Sequence, residues 1–355
     1  MKQRIHYVLT NDGVRLAWAE IGRGPALVKA ATWLTHLQDD LDSPVWAHWV
    51  RFFGEHFRYI RYDERGCGMS DWEVGDLAQE HWIDDLEGVI DDAAVAAPFA
   101  LLGISQGAAT SIRYAVRHPE RVSHLILYGG YALGGNRSDD PERRALFNAV
   151  MEVVGLGWGS DNPVFRQLFT TRFVPHGSQA QFDWFNALCR RTTSAANARA
   201  LLWARGEVDV SELLAQVRVP TLVLHASHDQ IAPLSQGRAL AAGIPGATFV
   251  QLDSHNHVLL EDEPAWGAFC EAVLEFTGRA RAGDATSALP LDGLTPRERA
   301  VLALLCEGRS NAQIAWQLGV AEKTARNHVS NLFRKLGVRS RAQAIVLARG
   351  STPAA

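Results

Sequence analysis

The sequence predicts an α/β domain with a mostly parallel sheet, followed by a small all-α domain. Three observations carry this reading. First, strand-like and helix-like segments alternate through the first 280 or so of 355 residues, and the last 60 hold only short helical patterns. Second, a small polar stretch without periodicity, 279–288, separates the two regimes. Third, charge splits at the same place. The formal net charge of −4 conceals a tail, 288–355, with ten Lys/Arg against four Asp/Glu, and a body with 25 against 35. A basic module on an acidic body is the footprint of a nucleic-acid-binding appendix.

Apolar or alternating runs at 5–9, 14–19, 26–30, 57–62, 99–103, 124–128, 221–226 and 248–252 read as strands. Helix-length stretches at 45–54, 77–96, 107–118, 234–243 and 265–278 lie between the later ones. Early hairpin-like strands followed by β-α repeats place the chain in the α/β class. Residues 133–212 break the rhythm. They contain no clear strand and carry Phe147, Trp158, Phe165, Phe169, Phe173, Phe182, Trp184, Phe185 and Trp203, which predicts a helical insertion with aromatics on its inner face.

Composition removes several classes. With 47% hydrophobic and 21% charged residues the chain is neither disordered nor fibrous. Cys67, Cys189, Cys270 and Cys306 lack CxxC spacing, so neither a disulfide framework nor a zinc module is expected, and a reducing cytoplasm is the natural compartment. No apolar run approaches membrane-spanning length and no signal peptide is visible at the N-terminus. No metal or other cofactor is expected.

The segment Gly103-Ile104-Ser105-Gln106-Gly107 is a G-x-S-x-G pattern between an apolar strand and a helix-like stretch. That context turns a weak pattern into a nucleophile elbow, in which a sharp turn lifts the serine hydroxyl above the sheet. The N–H of Gln106 would point toward a developing oxyanion. A serine hydroxyl needs a base, and that base needs an orienting carboxylate. Asp229 follows the strand 221–226, and His255 and His257 both follow the strand 248–252. Residue types alone leave these two histidines as competing bases.

These residues resemble the α/β-hydrolase superfamily over residues 1–278. Arg61-Tyr-Asp63-Glu-Arg65-Gly66-Cys-Gly68-Met-Ser70 is similar to the superfamily's R-x-D-x-R-G-x-G-x-S signature, and His257 with Pro264 is similar to its terminal G-H…E-x-P motif, with Asn256 replacing the glycine. The resemblance implies an eight-stranded, mostly parallel sheet, a lid at about 133–212 and a triad of Ser105, Asp229 and His257. The usual His-Gly after the third strand is absent. Lys29-Ala30-Ala31-Thr32-Trp33 stands there, and the second oxyanion donor would be the N–H of Thr32 or Trp33. The aromatic lid would line a pocket for a small apolar or aromatic ligand.

In the tail, Thr295-Pro296-Arg297-Glu298, Ser310–Gln313 and Ser340–Gln343 read as capping boxes, and Gly308, Gly319, Gly337 and Gly350 as helix stops. Between 322 and 336, Ala325, Val329, Leu332 and Leu336 form one apolar stripe with Phe333 beside them. The opposite face offers Lys323, Arg326, Asn327, Ser330 and Arg334, hydrogen-bond donors without an acid among them. With the turn Leu318-Gly319-Val320 before it, this predicts a helix-turn-helix reader of duplex DNA. The tail is similar to the LuxR-type DNA-binding domain over about residues 289–352, which has four helices. That resemblance implies base contacts from Arg326, Asn327 and Ser330, and phosphate contacts near Lys323 and His328. It also implies dimerisation through the last helix, and Thr324 and Arg334 belong to the same candidate surface. Ala321 occupies the usual capping position, at a cost of about 1 kcal/mol. Ala312 and Trp316 stand where Lys and Arg are common, which weakens the phosphate grip. The two halves together imply a DNA-binding regulator whose hydrolase-like domain binds, with or without hydrolysing, a small apolar or aromatic ligand, or a serine hydrolase of an ester, lactone or carbon–carbon bond with an auxiliary DNA-binding tail.

Overall fold

The computed structural model describes residues 2–158, 160, 163–279, 294–306, 309, 311–321, 324–325, 328–329, 332 and 335. The chain divides into two compact units, Met1–Arg279 and Ala280–Ala355. The linker expected at 279–288 lies outside the described residues except for Arg279, and the capping boxes expected at Ser310 and Ser340 lie wholly or partly outside them.

Eight strands build the first unit. They are β1 (Arg4–Leu9), β2 (Arg15–Ile21), β3 (Ala26–Lys29), β4 (Arg58–Tyr62), β5 (Phe99–Ile104), β6 (Val122–Tyr128), β7 (Thr221–Ala226) and β8 (Thr248–Leu252). They lie in the order β1-β2-β4-β3-β5-β6-β7-β8. β2 is antiparallel to both β1 and β4, and all other neighbouring pairs are parallel. Helices α1 (Ala47–His56), α2 (Glu80–Asp92) and α3 (Gly107–Arg117) come before the insertion. α4 (Pro141–Gly157), α5 (Pro163–Phe173), α6 (Gln179–Thr192) and α7 (Ala195–Gly206) form it, and α8 (Leu234–Gly243) and α9 (Pro264–Phe276) follow.

Both faces of the sheet are covered, which explains why β5 and β7 are buried at every position and mostly apolar. One core packs α1, α9 and the insertion against one face, and a second packs α2, α3 and α8 against the other. Parallel strands present their C-terminal ends on one edge, and ligand sites of open α/β sheets form there. Ser105, Asp229 and His257 all follow such ends.

The insertion is helical because its caps are sound. The Asp140 side chain accepts from the N–H groups of Glu142 and Arg143, with Pro141 in the first turn. Ser178 and Gln181 form a capping box, and Ser194 accepts from Asn197. Of the nine aromatics expected to face inward, Trp158, Phe165, Phe169, Phe173 and Phe185 are buried, whereas Trp203 is 54% exposed. Trp203 is in helical phase with the outer face of α7, so it departs from the inward expectation.

In the second unit, α10 (Pro296–Cys306) begins with the expected box. The Glu298 carboxylate accepts from the Thr295 N–H at 2.8 Å, and Thr295 Oγ1 accepts from the Glu298 N–H at 3.3 Å. α11 (Asn311–Leu318) stops at Gly319, whose φ is +64°. A separate core unites Leu294, Val301, Leu302, Leu305, Ile314 and Ala315 with Ala325, Val329 and Leu332. Three residues of the expected stripe therefore face inward, while Phe333 and Leu336 lie outside the described residues. Among the described residues no helix is long and apolar enough to cross a membrane.

Candidate active site and DNA-binding helix

The elbow takes the form its sequence predicts. Ser105 sits at φ +54°, a left-handed conformation that costs a non-glycine residue about 1–3 kcal/mol. Its N–H is held by the Tyr128 carbonyl at 2.8 Å. Close packing dictates the glycines. A Cβ on Gly103 would stand 2.7 Å from Ala108 Cα, and one on Gly107 would stand 3.3 Å from the carbonyls of Ala30 and Ala31. One on Gly130 would stand 2.4 Å from Ala108 Cβ, so residue 108 must also be small.

Asp229 and His257 meet beside the elbow. His257 Nδ1 lies 2.6 Å from Asp229 Oδ2, and Asp229 Oδ1 accepts from the N–H groups of Ile231 and Ala232 at 2.7 and 3.0 Å. Burial opposes the Asp229 charge, but His257 and these hydrogen bonds prevail and hold its carboxyl below the usual range. The aspartate is thus ionised, accepts the Nδ1 proton and leaves Nε2 as the basic atom. Nε2 is buried without a hydrogen-bond partner. The competing base, His255, is exposed and stacks on His228 at 4.2 Å instead. Gly129 (φ +57°) leaves room for the imidazole, because a Cβ there would stand 3.1 Å from His257 Cε1.

A small, partly open pocket lies over the serine, lined by Thr32, Trp33, Leu34, Trp46, Ile104, Ser105, Gln106, Phe173, Phe185, His257 and Val258. The proposed nucleophile, base and all three oxyanion candidates share it. As the residue capping α3, Gln106 has an N–H with no intrahelical acceptor. Apart from the imidazole, no lining side chain is ionisable. Aromatics of the helical insertion form the wall behind: Trp158 stacks on Trp33 at 5.1 Å, and Phe169 meets it edge-on at 6.1 Å. From α7, the buried Arg205 guanidinium stands 5.1 Å over the Trp33 ring and pairs with Glu64.

The signature after β4 is scaffolding. Asp63 Oδ2 accepts from the N–H groups of Leu37 and Met69, and its carboxyl fills the space where a Gly68 side chain would stand. Arg65 pairs with Asp85 and Asp12. Sequence reasoning missed Asn256 as a connector. Its Oδ1 accepts from the His176 N–H at 3.1 Å, while the Phe173 carbonyl accepts from the His257 N–H at 2.8 Å. The helical insertion is thereby attached to the loop carrying His257. Only the glycine-to-asparagine departure at 256 could have signalled this.

Lys29, where the superfamily pattern breaks, is buried. Its Nζ lies 3.0 Å from Thr32 Oγ1 and lines a second cavity with Asp40 and Arg61. Burial pushes its pKa down to about 8, against the attraction of Asp40. Below pH 8 the ammonium is charged in both folded and unfolded chains, and folding carries the full burial cost. Between pH 8 and 10.5 the folded chain has lost a proton that the unfolded chain keeps, so stability rises with pH. The stability of the wild type relative to Lys29→Met should therefore increase by about 3 kcal/mol from pH 7.5 to 10.5. Urea midpoints at the two values check this, and a constant difference would contradict it.

On the candidate DNA-binding helix, Thr324 is exposed and His328 half-buried, beside the buried Ala325 and Val329. Lys323, Arg326, Asn327, Ser330 and Arg334 lie outside the described residues.

Comparison with known proteins agrees with both units. Residues 48–264, more than half of the chain, match the family described as serine aminopeptidase, S33. The chain belongs to this family of α/β-hydrolases. Residues 292–348 match the bacterial regulatory proteins of the LuxR family, so the S33-family domain is followed by a LuxR-type DNA-binding domain. A relative 28% identical over 272 residues is the AB hydrolase superfamily protein YisY of Bacillus subtilis (strain 168), covering 73% of this chain and 94% of that protein. The tail is 54% identical over 59 residues to the DNA-binding transcriptional activator DevR/DosR of Mycobacterium tuberculosis, covering 17% of this chain and 27% of that protein. Among solved structures, the enol-lactonase from Burkholderia xenovorans LB400 superposes with a TM-score of 0.62 at 25% identity, covering 77% of this chain and all of that one.

Proposed function

We propose that this protein is a homodimeric, cytoplasmic DNA-binding regulator whose S33-family domain binds and hydrolyses a small, uncharged apolar or aromatic ester or lactone. The catalytic residues are Ser105, His257 and Asp229, with Gln106 and Thr32 or Trp33 providing the oxyanion donors. One observation carries the enzymatic part: an ionised Asp229 bonded to His257, whose unpartnered Nε2 shares an apolar cavity with a strained Ser105. In the first step His257 takes the Ser105 proton as Oγ attacks the ester carbonyl. The alcohol leaves with that proton, and water then cleaves the acyl-enzyme. A carboxylate buried in this cavity would meet no cation, which favours neutral substrates.

Duplex DNA is the partner of the tail, through Lys323, Thr324, Arg326, Asn327, His328, Ser330 and Arg334. The domains are 1–278, with a lid at about 133–212, and 289–352. The alternative is a serine hydrolase with an auxiliary tail, favoured by the completeness of the catalytic couple. One experiment separates the two. Random duplexes are selected on the full-length protein, and their affinity is measured with and without the small molecule retained by Ser105→Ala. A regulator selects two inverted half-sites and changes affinity with ligand. A ligand-independent affinity supports the hydrolase with an auxiliary tail.

A further inference from the structure

The loop facing Ser105 is held by side-chain hydroxyls, and one of them belongs to the lid. Thr192 closes α6 and is fully buried. Its Oγ1 lies 3.0 Å from the Trp33 carbonyl and 2.8 Å from the Thr35 carbonyl. Within the loop, Thr35 Oγ1 donates to the Thr32 carbonyl at 2.8 Å. A trans peptide directs its N–H opposite to its C=O. Thr35, by holding the Thr32 carbonyl, therefore sets the direction of the Trp33 N–H, an oxyanion candidate, and Thr192, by holding the Trp33 carbonyl, fixes the next peptide and so the other side of the same residue. Thr32, Trp33 and Leu34 all line the cavity over Ser105.

We propose that Thr192 is a positioning residue for this oxyanion loop, so that lid placement and oxyanion stabilisation form one mechanical variable. The proposal rests on the serine-hydrolase reading above. The corner between α6 and α7 is tied down at further points. The Gly68 N–H donates to the Thr192 carbonyl at 2.6 Å, and Thr193 Oγ1 donates to the Gly66 carbonyl at 2.6 Å. Trp158 Nε1 donates to the Thr193 carbonyl at 3.0 Å, and its ring stacks on Trp33. The lid thus holds both the backbone and the ring of Trp33. A substrate that displaces Trp158 outward pulls on the corner that orients the loop, and it is penalised in kcat rather than KM.

The test uses the full chain with 4-nitrophenyl butyrate. Rates are normalised to the burst of nitrophenolate that counts reactive Ser105, which separates a lower rate from a smaller folded fraction. Thr192→Val is expected to lower normalised kcat about 10- to 100-fold, less than or equal to the loss of a whole oxyanion donor, with KM within about twofold. Thr192→Ser, which restores the hydroxyl, should recover kcat to within about threefold. An unchanged normalised kcat in Thr192→Val overturns the proposal, as does an equal defect in Thr192→Ser. If wild-type turnover does not exceed that of Ser105→Ala, the hydrolase reading falls first and this proposal with it.

Discussion

Replacing Ser105 with alanine is expected to reduce hydrolysis of a neutral aryl ester by about 10⁴-fold or more while the protein stays folded. The chemical loss follows from the site. With Oγ removed, the unpartnered His257 Nε2 has no hydroxyl to deprotonate, and only the oxyanion donors and the apolar cavity remain to assist water. The structural effect is small, because the hydroxyl anchors little and the turn is shaped by Gly103, Gly107 and Gly130. A control distinguishes chemistry from folding. Ser105→Gly relieves the positive φ and should melt higher than Ser105→Ala, with equally little activity. Asp229→Asn should approach the same loss by another route. An amide there no longer accepts the Nδ1 proton as an ionised carboxylate does, so the proton relocates toward the atom that must be basic. Steady-state rates with melting temperatures check all three. Wild-type turnover in Ser105→Ala would remove the serine mechanism.

The elbow, the aspartate and the histidine were legible in the sequence because each has a short-range cause. A strand, a serine between glycines and a helix dictate one turn, and the ends of parallel strands bring Asp229 and His257 to one edge. The choice between His255 and His257 was less local. It needed the Pro264 spacing, and the structure gives the physical reason: His257 points at Asp229, while His255 stacks outward on His228. Long-range ties were illegible. Thr192 reaches loop carbonyls more than 150 residues earlier, and Asn256 reaches back to His176. A threonine that ends a helix has no local signature for such a role. Trp203 shows the opposite limit, because aromatic content without phase does not reveal which ring faces out.

Leu305→Asp should abolish duplex binding, by about 100-fold or more, and leave ester hydrolysis per reactive Ser105 unchanged. Leu305 is fully buried in the small core of the second unit, with Val301, Ile314 and Val329. A domain of this size has only a few kcal/mol of stability, and an unpaired carboxylate in its core costs at least as much. The candidate DNA-binding helix packs on that core through Ala325, Val329 and Leu332, so it cannot outlast it. Loss of Lys323, an expected phosphate contact, would by comparison only weaken a folded domain and reduce the salt dependence of binding. The first unit has its own two cores and should melt as before. The same variant also tests regulation. If ligand changes the affinity for duplex by some factor, duplex must change the affinity for ligand by that factor. Adding operator should therefore shift ligand affinity in the wild type and have no effect in Leu305→Asp. If operator leaves ligand affinity unchanged in both proteins, the two domains are joined but uncoupled, and the enzyme with an auxiliary tail is the correct description.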